Sequence, residues 1–144
     1  MSLTTTTHLD QKITKVLDYA GAATATTTTD GVDMLGWEDV VFLTSFGVAA
    51  ANNLVHLEQG ADNSADWTDI ANSETGDASS EDIVLGIKSH IGDRYVRVSI
   101  TTGTSSAVGD VWAIQTRGTV LPVDNETVGT QLVNMLMQPI EGTK

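Results

Sequence analysis

Two stretches, "RYVRVSITT" from Arg94 and "DVWAIQTRG" from Asp110, alternate residue by residue between two chemical characters. A period of two is the signature of a β-strand, in which successive side chains point to opposite faces, and it does not fit a helix of 3.6 residues per turn. In the first stretch Val96, Val98 and Ile100 share one face, and Tyr95, Arg97, Ser99 and Thr101 the other. In the second, Val111, Ala113, Gln115 and Arg117 oppose Trp112, Ile114 and Thr116. Taking the bulkiest apolar residues as the buried ones makes Val96, Val98, Ile100, Trp112 and Ile114 core candidates. It also sets Arg97 and Arg117 on the less apolar faces of two adjacent strands.

The rest of the chain reads the same way. "KITKVLDYAG", Lys12 to Gly21, is β-branched and runs into a Thr-rich sequel, so a strand is favoured over a short amphipathic helix. Asp30-Gly31 is a turn signal between two extended runs. The run Val40 to Leu43 marks a strand buried on both faces, or one end of a packed sheet. "NNLVHLEQGAD" sets Leu54, His56 and Glu58 against Val55, Leu57 and Gln59, and "EDIVLGIKSHI" puts Ile83, Leu85 and Ile87 on one face. Gly60 to Asp82 is polar and acidic, without Lys or Arg, and reads as a long surface connection anchored by Trp67 and Ile70. "TTGTSSAVGD" reads as a loop too long for a two-residue hairpin turn. Pro122 ends the last strand. The expected fold is all-β, an antiparallel β-sandwich of about eight strands, over residues 12–123, with arms at 1–11 and 124–144.

Charge narrows the partners. The 144 residues carry 19 Asp+Glu against 7 Lys+Arg, a formal net charge of -12. Phosphate contacts need clustered Lys and Arg, so nucleic acid is not an expected partner. No apolar run approaches the ~18 residues of a membrane-spanning helix, and "MSLTTTTHLDQK" has neither a basic nor an apolar leader region, so neither membrane nor secretory signal is expected. With no cysteine, thiolate metal sites and cysteine nucleophiles are excluded.

Catalytic chemistry finds little support. His8, His56 and His90 stand far apart and form no H-x-x-x-H ligand pattern. No nucleophile elbow or phosphate-binding loop occurs. "DNSADWTD" offers Asp62, Ser64, Asp66 and Asp69 at close spacing, but Trp67 and Ser73 stand where a calcium loop starting at Asp62 needs Gly and Glu. An aromatic platform for sugar would draw on Trp37, Trp67 or Trp112. No catalytic residue, metal ligand or cofactor is assigned. The three arginines, Arg94, Arg97 and Arg117, are interface candidates, because Arg is enriched where its planar fork meets carboxylates. The plainer reading pairs them with carboxylates of their own sheet, at roughly 0.2–1 kcal/mol each. Leu132, Met135, Leu136 and Met137 form an apolar patch in the tail, suited to filling an irregular groove.

Taken in order, "LDYAG", "GVDMLGWEDVVFLTSFG", "DWTDI", "RYVRVSIT" and "VWAIQTRGTVLP" resemble small head-region structural proteins of tailed bacteriophages, the capsid decoration or cement proteins. R-Y-V-R at Arg94 to Arg97 and A-I-Q followed by Pro122 are part of that pattern, which covers roughly residues 13 to 123. The resemblance implies a jelly-roll-like sandwich on the outer surface of a phage head, in the virion. It implies binding to the major capsid protein and to further copies of itself, with a trimer as the expected oligomer and no enzymatic activity. The alternative is a carbohydrate-binding β-sandwich of a head or tail appendage.

Overall fold

The alternating stretches form strands. The computed structural model describes residues 11–47, 51–64, 66–74, 84–90 and 92–119, with backbone alone for 84–90. The elements are β1 (Gln11–Leu17), β2 (Ala20–Ala23), β3 (Thr26–Thr28), β4 (Val32–Asp33), β5 (Asp39–Gly47), β6 (Leu54–Gly60), β7 (Thr68–Asp69), β8 (Val84–His90), β9 (Tyr95–Thr101), β10 (Ser106–Val108) and β11 (Val111–Thr116). No helix occurs among the described residues. The expected arms, with Leu132, Met135, Leu136 and Met137, lie outside the described residues apart from Gln11, which opens β1. So do the side chains of Ile83, Leu85 and Ile87.

All strand pairs are antiparallel, and several short strands are halves of one bent strand. β10 and β11 both lie along one edge of β5, Val108 opposite Phe46 and Trp112 opposite Leu43, with β8 on the other edge. β1 and β2 continue outward along β11 and β10, with register shifts at Lys15/Leu17 and Ser106/Val108. In the second sheet β3 and β4 share one edge of β9, while β6 and then β7 follow on the other. Each sheet is therefore four strands wide. With the bent halves merged and numbered along the chain, the orders are 1-8-3-6 and 2-7-4-5.

The two inner faces meet in one core. Val16, Val40, Phe42, Phe46, Val108, Val111 and Ala113 come from the first sheet, and Val32, Val55, Leu57, Val96, Val98 and Ile100 from the second, with Met34 beside them. At ~25 cal/mol per Å² of buried apolar surface, this cluster is the main stabilising term. Two buried amides find partners. Gln115 is buried on the inner face of β11 and donates from Nε2 to the Asp33 carbonyl oxygen at 2.8 Å, tying one sheet to the other. Asn53, also buried, donates to Ser106 Oγ at 3.0 Å and accepts from the Gly103 N–H at 3.2 Å.

Four expectations are corrected. β9 and β11 are not neighbours; they lie in opposite sheets, so Arg97 and Arg117 do not share a face. The buried face of β11 is Val111, Ala113 and Gln115, while Trp112 and Ile114 turn outward and stay partly exposed. Alternation separates two faces without saying which is buried, and here the small Ala113 stands directly across from Phe42, whose ring takes the inner space. "TTGTSSAVGD" is not all loop, since Ser106–Val108 pairs with β5 and β2. Asp30-Gly31 does not reverse the chain, because the runs on both sides of it pair with β9. Gly31 is needed there for close approach: a Cβ would lie 2.8 Å from Trp67 Cη2 and collide with Asn63 Oδ1. A true turn follows at Met34 to Trp37, where the Trp37 N–H donates to the Met34 carbonyl at 2.9 Å and Gly36 holds φ at 83°.

Candidate functional site

Each arginine is engaged by carboxylates of its own chain. Arg94, just ahead of β9, grips Asp33 on β4 with both arms of its fork, Nε to Oδ1 at 2.9 Å and Nη2 to Oδ2 at 2.7 Å. Its guanidinium also lies 5.2 Å from the Tyr95 ring centroid. The hydrogen bonds from Arg94 hold the Asp33 carboxyl down at about 2, helped by the Leu35 N–H. Arg117, just past β11 at φ 55°, bonds the buried Asp39 at 2.7 Å and Glu38 at 3.1 Å. Arg97 projects from the outward face of β9, donates from Nε to Glu58 Oε2 at 2.5 Å, and lies over the Trp67 ring at 4.3 Å.

Around Arg97 the outward face of the second sheet collects charge. His56 and Glu58 are two residues apart on β6 and so share a face. Asp69 stands directly across from Glu58 on β7. Two hydrogen bonds hold the chain around β7 to β6, the Ile70 N–H to the Leu57 carbonyl at 2.8 Å and the Leu57 N–H to Ser73 Oγ at 2.9 Å, while Ile70 packs against the core. The result brings His56 Nε2 to 3.5 Å from Glu58 Oε1 and 3.3 Å from Asp69 Oδ1. This convergence of metal-ligand types is what the sequence spacing did not reveal. H-x-E was visible as a same-face pair, but its third member arrives only through strand pairing with β7.

The outward face of the first sheet is apolar. Ile13, Ile114 and Val41 form one row across β1, β11 and β5, and Trp112 and Leu43 form the next, with Lys15 beyond Trp112 at the rim. All five apolar side chains are partly exposed. An open hollow of about 290 Å³ lies at the end of this patch, lined by Leu43, Thr44, Ser45, Asp110 and Trp112.

The other indoles are occupied. Trp37 packs against the core and sits close over Gly118, and Trp67 lies between Arg97 and the backbone at Gly31 and Gly60. A sugar platform on Trp37 or Trp67 would need that ring freed, whereas Trp112 stays partly exposed on the outward face of the first sheet. Asp62, the first residue of the calcium-like run, spends Oδ1 on the Ser64 N–H at 2.9 Å and hydroxyl at 2.8 Å, which closes a local turn. Among the described residues, no helix is long and apolar enough to cross a membrane. Comparison with family models, curated proteins and solved structures returned no match to this chain.

Proposed function

We propose that this chain is a capsid decoration protein of a tailed-phage head, a virion structural protein that binds the major capsid protein and stabilises the shell by contact rather than catalysis. The observation that carries the reading is the outward face of the first sheet, where Ile13, Val41, Leu43, Trp112 and Ile114 form one apolar patch across three strands. Contiguous apolar patches rimmed by polar residues mark protein–protein contact surfaces. Strong negative charge keeps such a protein soluble before it docks and favours a receiving surface with positive charge. The strand orders 1-8-3-6 and 2-7-4-5 support the jelly-roll-like winding that the resemblance implies. Three copies about a local symmetry axis would place identical patches on identical capsomer surfaces.

Titrating the purified protein onto undecorated heads tests the proposal. Saturable binding at symmetry-related sites is expected, along with greater resistance of the heads to heat. Ile114→Lys should weaken binding by ~10-fold or more, as loss of a central apolar anchor does, while leaving the isolated protein folded. Heads that take up no protein, or take up wild type and Ile114→Lys equally, would remove the reading.

A further inference from the structure

We propose that His56, Glu58 and Asp69 form a site for a divalent transition-metal ion of the zinc class. The inference rests on the second sheet's outward face and is independent of the docking surface on the first. The donor set is one imidazole nitrogen and two carboxylate oxygens, and all three ligand atoms lie within 4.8 Å of one another. Zinc takes N and O donors at about 2.0–2.2 Å in tetrahedral array, which separates the donors by roughly 3.3–3.5 Å. The His56 Nε2 distances, 3.5 Å to Glu58 Oε1 and 3.3 Å to Asp69 Oδ1, already match. Asp69, with a side chain 79% exposed, is free to swing the remaining distance toward Glu58.

The surroundings support the ligands as outer-shell groups do in metal sites. Glu58 divides its carboxylate: Oε2 accepts from Arg97, and Oε1 is left facing His56. Arg97 is itself fixed by the Trp67 ring, which the glycine backbone at Gly31 and Gly60 admits. Arg97 is thus a positioning residue for Glu58. Directly across the ladder from His56 stands Ser99, 2% exposed, whose hydroxyl makes no hydrogen bond to another described residue. The carboxylates of Glu58 and Asp69 outnumber the one guanidinium beside them, which favours a cation. An imidazole ligand selects borderline metals such as zinc over calcium and magnesium, which take oxygen donors. Three protein ligands leave a fourth position for water or for a donor from another molecule.

The test uses the full chain, stripped with chelator and titrated with ZnCl2, CaCl2 and MgCl2 by calorimetry, beside His56→Ala and Asp69→Asn. Asp69 is exposed, so Asp69→Asn leaves the fold in place. One zinc per chain is expected, with affinity at least ~10-fold weaker in each variant and no comparable uptake of calcium or magnesium. Cobalt substitution should give visible absorption bands in wild type that His56→Ala loses. Three results overturn the proposal. Zinc uptake unchanged in both variants would locate binding elsewhere, such as at His8 or His90; equal affinity for calcium and zinc would mean a generic acidic surface. No zinc uptake at all would leave the cluster as an imidazole set between two carboxylates, with no metal role.

Discussion

On the outward face of the first sheet Ile13, Val41, Leu43, Trp112 and Ile114 line up across three strands, while on the second His56, Glu58, Ser99 and Arg97 occupy the corresponding ground. Both faces belong to antiparallel sheets of equal width over the same core, so backbone architecture does not account for the contrast. The charged face answers its own needs: its arginines find carboxylates within the chain, and the Trp67 ring is capped by a guanidinium. The apolar face gains nothing comparable from the described residues. The proposed ion site lies on the charged face, and the proposed docking surface on the apolar one.

The largest expected effect separates core from outward face. Phe42→Ala empties a nearly inaccessible site opposite Ala113 and should cost ~3–5 kcal/mol in urea denaturation. Ile114→Ala, outward on the neighbouring strand, should cost about 1 kcal/mol in the isolated protein. Equal losses would mean that the outward face is a second core rather than a contact surface.

Next comes Arg97→Ala, which takes the partner from a Glu58 carboxylate only 14% exposed and uncovers Trp67. A loss of about 1.5–3 kcal/mol is expected, the range for a hydrogen bond to a charged group. Added salt should recover little of it, because the pair is shielded from solvent. A near-zero loss would make this face as indifferent as an ordinary solvated surface.

The smallest effect is acid-dependent. Asp33 titrates near 2 when folded against 3.8 for the free side chain, chiefly through its bonds from Arg94. A depressed carboxyl stabilises the fold above pH ~4, and that contribution fades as pH falls through 2. The pair is well exposed, so solvent screening keeps the effect small. The stability difference between wild type and Asp33→Asn should be constant from pH 7 down to about 4 and shrink below it. A difference that stays flat to pH 2 would show that Arg94 does not favour the ionised carboxylate.

Strand content was written in local pattern. Alternation sets Val96, Val98 and Ile100 on one face of β9, and Val55 and Leu57 on one face of β6, because strand geometry depends only on neighbouring residues, and these are the faces the structure buries. The run Val40 to Leu43 is a central strand, but it is not buried on both faces: Val40 and Phe42 point inward, while Val41 and Leu43 turn outward and stay partly exposed. The plainer reading of the arginines, as partners of this chain's own carboxylates, also stands.

Long-range arrangement decided the rest. Nothing local says that β9 and β11 part into opposite sheets, since the short β10 between them reads as a loop until β5 and β2 pair with it. Nothing in "VWAIQT" says that Ala113 rather than Trp112 faces inward, because the choice depends on the volume that Phe42 fills across the ladder. The three donors around His56 come together only when β7 pairs with β6, bringing Asp69 across from Glu58. Alternation is a property of one strand, and so it is legible along the chain. Which face is covered, and which side chains meet, are properties of strand pairs, and pairing energy is collected only in the folded sheets.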